Sequence, residues 1–219
     1  MPVAQATVIF GTSFVVGLSG AVTPGPLLAF TIRESALRGF RAGPYVATGH
    51  AALELVMVTL LGLGIARWLQ GDVAFATIAL TGAAFLLWMG WGMVRNPGHG
   101  LPLPAQPQEA AATPGASRPL VGGVLVSLAN PFWSLWWVTV GLNFINWSQS
   151  LGLGALGFAS FYLGHILSDY SWYALVSLAV ASGRRVLTPG FYRGLVRVCG
   201  LFLWAMAGFF LVNGLTRVL

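Results

Sequence analysis

The sequence predicts an all-α integral membrane protein with about six transmembrane helices, and two observations support this prediction. Hydrophobic residues fill 57% of the 219 positions and charged residues only 7%, whereas a soluble domain carries about 25% charged residues. In addition, six apolar stretches are each close to the ~20 residues that an α-helix needs to cross hydrocarbon. They cover residues 7–31, 44–66, 73–94, 120–146, 152–180 and 195–216.

The placement of arginine predicts how these helices are oriented. All eleven basic residues are arginine, and cytoplasmic loops of membrane proteins retain basic residues. The side of the membrane that holds the N-terminus receives only Arg67 and Arg217, and the opposite side receives Arg33, Arg38, Arg41, Arg95, Arg118, Arg184, Arg185, Arg193 and Arg197. We therefore expect a multi-pass protein of the bacterial cytoplasmic (inner) membrane with both termini outside. The positive charge then serves topology and contact with anionic lipid, not nucleic-acid binding.

The two halves of the chain resemble each other. The first half has Thr23–Pro26 in its first apolar stretch and a Gly-His-x-x-x-acid motif, Gly49–Glu54, in its second. The second half has Asn130–Pro131 and then Gly164–Asp169 in the corresponding stretches. Three helices per half would insert the halves in opposite orientations. Inverted repeats with broken helices in matching positions are typical of secondary transporters, whose binding sites lie near the bilayer midplane.

This internal similarity divides the chain into three parts. We expect residues 1–94 to form the first three-helix repeat and residues 120–219 the second. The intervening residues 95–119 hold six of the twelve prolines. Such a composition predicts a Pro-rich linker, here on the cytoplasmic side.

Glu54 and Asp169 are acidic residues deep within apolar stretches. An ionisable side chain at that depth costs about 3 kcal/mol or more, so it normally faces a cavity or a partner. Burial favours the neutral form of an acid, which suits proton exchange, and a carboxylate could also capture a substrate ammonium. The alternative is a structural polar pair that holds helices together.

His50 and His165 each precede one of these acids by four residues. This spacing places each histidine on the same helical face as its acid. Each could relay a proton or simply be satisfied by its neighbouring carboxyl group. If the two helices converge, the two histidines and the two acids could together ligate a divalent cation.

Pro24 and Pro26 flank Gly25 in the first apolar stretch. Proline removes a backbone donor and clashes with the preceding turn, so we expect the helix to unwind or kink here. Irregular backbone at membrane depth is tolerated where it lines a cavity. The freed amide of Gly25, the Thr23 hydroxyl and the positive end of the next half-helix would suit a substrate carboxylate. The Asn130–Pro131 pair predicts a similar break in the second half.

One arginine and three tryptophans follow the predicted helix breaks. Arg33 lies near the cytoplasmic end of the first stretch, where it could attract anionic groups of a substrate or anchor the topology. Trp133, Trp136 and Trp137 follow the Asn-Pro pair. One of these indoles could line the transport pathway, but we expect packing or interfacial positions for them.

An enzyme is a poor explanation of this sequence. The run from Gly17 to Gly20 is similar to the Gly-x-Ser-Gly of intramembrane serine proteases, but its serine lies in the first apolar stretch rather than in a middle one. Small residues at this spacing more often allow close helix packing. The single cysteine, Cys199, excludes a disulfide framework within the chain.

These motifs together are similar to those of a known family. The chain resembles the LysE/RhtB family of amino-acid exporters in Thr23-Pro24-Gly25-Pro26, Arg33, Arg38-Gly39-Phe40-Arg41-Ala42-Gly43, Gly49, Glu54, Asn130-Pro131, Asp169 and Trp172-Tyr173. The resemblance covers nearly the whole chain. It implies the six-segment fold and a secondary exporter that moves amino acids or related small metabolites out of the bacterial cytoplasm in exchange for protons.

The resulting prediction is a proton antiporter for a small-molecule substrate, with no enzymatic activity, no cofactor and no resident metal. Its predicted substrate-binding residues are Thr23, Pro24, Gly25, Pro26, Glu54, Asn130, Pro131 and Asp169, with His50 and His165 as a proton relay and Arg33 at the cytoplasmic mouth. The alternative is a divalent-cation transporter that uses His50, Glu54, His165 and Asp169. Stretches of small residues would also permit a homodimer.

Overall fold

A computed structural model describes residues 2–65, 72–97, 117–183 and 188–217 of the chain. Most of the predicted linker, residues 98–116, lies outside these ranges, as do Arg67, Arg184 and Arg185. The linker prediction and part of the arginine count therefore concern residues that the structure does not describe.

The described residues form nine α-helices and no strand. Their bounds are α1 Pro2–Ala21, α2 Pro26–Arg38, α3 Ala42–Leu60, α4 Asp72–Arg95, α5 Ser117–Leu128, α6 Pro131–Trp136, α7 Leu142–Ser150, α8 Gly154–Ser182 and α9 Pro189–Leu215. Wider π-helical turns follow α3 at Leu61–Ile65 and join α6 to α7 at Trp137–Gly141. The predicted stretch 73–94 corresponds to α4, and the stretch 152–180 corresponds to α8.

Several of these helices have the length and apolar composition to cross a membrane. Four single spans qualify among the described residues: Pro2–Ala21, Ala42–Gly64, Phe75–Arg95 and Arg193–Leu215. A fifth candidate is the pair Arg118–Leu128 and Phe132–Ser150, which is bent by 64° at its break. The all-α, membrane-spanning class is thus confirmed in its outline, with four or five candidate spans. The count of six stays a prediction.

Short breaks separate α1 from α2 and α5 from α6. α1 ends at Ala21, and α2 begins at Pro26 with Gly25 as its N-cap residue in extended conformation. In the second half, α5 ends at Leu128 and α6 begins at Pro131, where the Asn130 side chain accepts a hydrogen bond from the Phe132 amide at 3.2 Å. Proline suits the first position of a helix because its missing N–H would have no intrahelical partner there.

The helices pair across the two halves of the chain. α3 packs against α5, α1 against α8, and α4 against α9. The first two pairs approach closely at the glycine of the repeated motif. A Cβ atom on Gly49 would collide with the backbone carbonyl of Leu120, and one on Gly164 would collide with the backbone of Phe10. Small residues permit such close contact between membrane helices.

Candidate functional site

The two Gly-His-x-x-x-acid motifs meet in the centre of the molecule. We call His50, Glu54, His165 and Asp169 the acid–histidine cluster; each of the four is at most 5% exposed. Nε2 of His50 lies 3.1 Å from Glu54 Oε1 and 3.9 Å from Asp169 Oδ1. Nε2 of His165 lies 3.2 Å from Glu54 Oε2 and 3.6 Å from Asp169 Oδ2. Both histidines therefore present the same ring nitrogen to both carboxyl groups.

Helix geometry explains why the cluster forms. Each histidine stands one turn before an acid on the same face of α3 or α8, and the two faces are brought together because α3 and α8 pack against each other. Sequence spacing predicted each pair separately. That the pairs join into one cluster follows only from the packing of the two helices.

Ser127 of α5 fixes the ring of His50. The Ser127 hydroxyl oxygen lies 2.6 Å from His50 Nδ1 and 2.6 Å from the Gly123 carbonyl oxygen. The second contact requires the hydroxyl proton, so the serine oxygen accepts from Nδ1–H. Nε2 of His50 is then free to face the carboxyl groups of the cluster.

Two tryptophans complete the surroundings of Glu54. The indole N–H groups of Trp133 and Trp137 each donate to Glu54 Oε1 at 3.1 Å. Both side chains are buried, as is Trp136, whose ring lies 5.1 Å from that of His165. An interfacial position is therefore wrong for these three indoles. They pack in the interior, and two of them act as polar partners of an acid, a role that composition alone does not reveal.

The acid–histidine cluster borders a cavity of about 50 Å³. Its walls include eight of the predicted site residues, contributed by both halves of the chain: Thr23, Pro24, Gly25, His50, Glu54, Asn130, His165 and Asp169. Pro26 and Pro131 start α2 and α6 beside it. The Thr23 hydroxyl donates to the Ser19 carbonyl at 2.8 Å, so toward a ligand it can offer its oxygen as an acceptor.

The remaining wall of the cavity is mostly apolar. It includes Leu27, Leu28 and Leu203 together with Phe132 and Trp136. Two carboxyl oxygens, Glu54 Oε2 and Asp169 Oδ2, are buried and have no hydrogen-bond partner among the described residues. Because buried carboxylates are costly unless they are paired and hydrogen-bonded, this arrangement favours a positive charge on the cluster: protons on the histidines or acids, a substrate ammonium or a metal ion.

A second charged group lies on α2, away from this cavity. The Glu34 carboxylate is fully buried and receives hydrogen bonds from Arg33 Nη1 at 2.9 Å and Arg38 Nε at 2.8 Å. Arg118 of α5 lies 3.7 Å from it. The sequence did not single out Glu34, because it lies just beyond the apolar stretch 7–31 and a charge outside such a stretch is expected to be solvated. Its spacing of four residues from Arg38 was the available signal. Arg33, predicted at the cytoplasmic mouth, thus pairs with Glu34.

The chain matches one family of known proteins over most of its length. The sequence model of the family described as LysE type translocator matches residues 18–214. An uncharacterized membrane protein of Pseudomonas aeruginosa, PA4757, is 30% identical over 141 residues, which cover 64% of this chain and 63% of that protein. The chemotactic transduction protein ChpE of the same organism is 28% identical over 208 residues, 91% of this chain and 96% of that protein.

A third relative is named as an efflux protein. The leucine efflux protein of an Enterobacter species is 28% identical over 151 residues, 66% of this chain and 64% of that protein. The chain thus matches slightly less than two thirds of the length of PA4757 and of this efflux protein. No solved structure matches at comparable significance.

Proposed function

Because the chain belongs to the LysE-type translocator family, we propose that it exports amino acids or related small metabolites from the bacterial cytoplasm in exchange for protons. The observation that carries this proposal is the cavity at the acid–histidine cluster, which residues of both halves of the chain enclose. The relative named as a leucine efflux protein supports the amino-acid class of substrate. Transport needs no catalytic residue, in keeping with the predicted absence of enzymatic activity.

The cavity offers complementary groups for an amino acid. Glu54 or Asp169 would hold the ammonium group or carry the exchanged proton, with the histidines as relays. The backbone N–H of Gly25 and the side-chain NH2 of Asn130 would orient the carboxylate, aided by the positive N-terminal end of α2. The Thr23 oxygen, whose proton goes to the Ser19 carbonyl, would instead accept a hydrogen bond from the ammonium group. The apolar wall would receive an aliphatic side chain, as in leucine.

The size of the cavity implies that helices must move to load it. A water molecule needs roughly 10–15 Å³ measured in this way, so a cavity of about 50 Å³ holds a few waters rather than an amino acid. The cavity would therefore have to widen before it could bind an amino acid. Alternating access would open the cavity to one side of the membrane at a time.

The architecture we propose is that of two inverted three-helix repeats, residues 1–94 and 120–219, joined by a cytoplasmic linker at 95–119. α8 supplies the sixth span, and the Pro-interrupted pairs α1–α2 and α5–α6 are the broken first helices. The reciprocal contacts support this arrangement, since the second helix of each half packs against the first helix of the other. Gly49 and Gly164 occupy corresponding places in these contacts.

We further propose that the protein lies in the inner membrane with both termini outside, as its arginines predict. Large apolar side chains are exposed along the long helices, for example Val15, Leu63, Trp88, Leu175 and Val212. These surfaces would contact lipid, and a homodimer could cover part of them. Arg33 would lie on the cytoplasmic side and contribute to the field that attracts anionic substrates.

Export from whole cells tests the proposal. Bacteria expressing wild type, Glu54→Gln or Asp169→Asn at matched membrane levels are loaded with leucine-containing and other dipeptides. Released amino acids are then measured with and without a protonophore. We expect release above the empty-vector rate for wild type, its loss with the protonophore, and at least a tenfold fall for both acid variants. Asp72→Asn, which changes an exposed acid paired with Arg217 at 2.7 Å, is the matched control and should export normally.

Two outcomes would contradict the proposal. Release equal to the empty vector across the amino-acid panel would exclude this substrate class. Wild-type export by both acid variants would remove the cluster from the mechanism. Gly25→Ala tests the break separately, because a Cβ atom there meets nothing closer than the Thr23 carbonyl oxygen at 3.8 Å. A loss of export in that variant would report on the site rather than on steric damage.

A further inference from the structure

We infer that the acid–histidine cluster is also a binding site for a divalent transition-metal ion of the Zn²⁺ type. This inference concerns binding and does not depend on which substrate the protein exports. It rests on the identity, spacing and burial of four donor groups. The sequence analysis predicted no resident metal and gave a divalent-cation site on these four residues only as the alternative, because spacing along two helices could not show that the donors converge.

The donor atoms have the spacing of a compact metal site. The ligand atoms of His50, Glu54 and Asp169 all lie within 4.8 Å of one another. Two donors at 2.0–2.1 Å from a tetrahedral ion lie about 3.3 Å apart. The nitrogen–oxygen separations from His50 are 3.1 and 3.9 Å. The separation between the two carboxyl oxygens is at most 4.8 Å, so the carboxyl groups would have to close by up to about 1.5 Å to bring these donors onto one tetrahedral ion.

His165 provides a second nitrogen, and a fourth donor group, beside the carboxyl groups. Its Nε2 lies 3.2 Å from Glu54 Oε2 and 3.6 Å from Asp169 Oδ2, but these two oxygens have no hydrogen-bond partner within the part of the chain that the structure describes. Both oxygens thus lie within ion-pair distance of one ring nitrogen without a well-aligned hydrogen bond, and an imidazole nitrogen and carboxyl oxygens are the ligands that Zn²⁺ accepts.

Charge favours a divalent ion at this position. With neutral histidines the two carboxylates would place two negative charges in the interior of the bundle, where each unpaired charge is expensive. One M²⁺ ion balances both. The three convergent donors, one nitrogen and two carboxyl oxygens, with a water at the fourth position, suit Zn²⁺, whereas Mg²⁺ and Ca²⁺ prefer six or more oxygen ligands.

A hydrogen bond outside the donor set fixes the orientation of His50. The Nδ1–H of His50 donates to Ser127, which directs Nε2 toward the carboxyl groups. Outer partners of this kind fix the orientation of a ligating histidine, and their removal typically costs 10–100-fold in metal affinity. The neighbouring cavity supplies room for a water ligand at an open coordination position.

Direct metal binding by the purified full-length chain tests this inference. The protein is prepared in detergent without a polyhistidine tag and stripped of metal, and Zn²⁺ is titrated in competition with a chromogenic chelator. Co²⁺ is used in parallel, because its visible absorption reports tetrahedral coordination. We expect one ion per chain, a tetrahedral Co²⁺ spectrum, and no competition from millimolar Mg²⁺ or Ca²⁺.

Variants decide where the ion binds. His50→Ala and Asp169→Asn should lower the Zn²⁺ affinity at least tenfold, and Ser127→Ala, which keeps every donor, should lower it 10–100-fold. His99→Ala changes the third histidine of the chain, which lies outside the described residues, and should leave the affinity unchanged. Absence of Zn²⁺ binding, or binding that only His99→Ala removes, would overturn the inference.

Export measurements separate this inference from the proposed function. If the ion occupies the place of a substrate ammonium, a step that rests on the proposed export, then Zn²⁺ should inhibit export by wild type but not by a variant that has lost the ion and still exports. Export without any Zn²⁺ binding would refute the metal site alone. Zn²⁺ binding by a chain that exports no amino acid would refute the proposed function alone.

Discussion

Replacing Glu34 by glutamine should destabilise the protein far more than neutralising an exposed acid. Glu34→Gln keeps the shape of the side chain but removes the charge that holds Arg33 and Arg38 at 2.9 and 2.8 Å. It also turns one hydrogen-bond acceptor into a donor that faces guanidinium groups. The carboxylate is fully buried, so no water can replace the lost contacts on its side.

The magnitude follows from the number of bonds and their exposure. A hydrogen bond to a charged group contributes about 1.5–3 kcal/mol, and two such bonds are lost. The arginine side chains are 24% and 14% exposed, and solvent screening of these partners reduces the sum. We expect a loss of about 2–4 kcal/mol, since breaking a fully buried pair costs about 3–5 kcal/mol. At about 2–4 °C per kcal/mol for a chain of this size, the melting temperature should fall by about 5–15 °C.

Thermal unfolding in detergent, followed by tryptophan fluorescence and by the recovery of monodisperse protein, measures this loss. Asp72→Asn is the matched control, because the Asp72–Arg217 pair has side chains 65% and 53% exposed. Exposed ion pairs contribute at most about 1 kcal/mol, so its melting temperature should change by less than about 4 °C. Equal shifts for the two variants, or a stable Glu34→Gln protein, would refute the assignment of Glu34 as a buried ionic anchor.

Three other substitutions test the packing and the site. Gly49→Ala should lower stability by about 1–3 kcal/mol, because its new Cβ atom meets the backbone of a neighbouring helix; Gly208→Ala, where nothing lies within 4 Å, should match or exceed wild type in the same melting assay. Trp137→Phe keeps a ring but removes an N–H donor to the central carboxylate. It should slow export several-fold and lower the melting temperature by about 5–10 °C, because a fully buried side chain loses volume and a hydrogen bond to a charged group; unchanged export would argue against that donor's role. Ser127→Ala should release the ring of His50, visible by NMR as a change in that histidine's tautomer or exchange rate; an identical histidine spectrum would contradict the hydrogen-bond assignment.

The helical class was predictable because it depends on composition and on the length of apolar stretches. α4 and α8 follow the predicted stretches closely, since each is a continuous apolar run. The first predicted stretch, 7–31, differs from the structure. Its hydropathy predicts one continuous segment, whereas the structure has α1, a break at residues 22–25, and α2. The prolines predicted an irregularity there. The number of residues in the break and the length of α2 depend on packing against other helices, and a hydropathy profile carries no information about that packing.

The candidate site was predictable in its parts but not in its assembly. A spacing of four residues relates His50 to Glu54 on any helix, so local geometry was sufficient for each pair. The approach of α3 to α8, the indole donors to Glu54, and the burial of Glu34 are all consequences of long-range packing. Glu34 was missed because a charge just beyond an apolar run looks solvated in sequence, whereas neighbouring arginines make its burial tolerable.

The break between α1 and α2 makes α2 a separate short helix, joined to α1 by residues 22–25. α2 has 13 residues, so it extends about 20 Å from the break at 1.5 Å per residue. A rotation of about 10° around residues 22–25 would displace the far end of a helix of this length by about 3 Å. Glu34 stands near that end, 3.7 Å from Arg118 of α5. A movement too small to rearrange the cavity wall would thus be large enough to separate an ion pair between two helices.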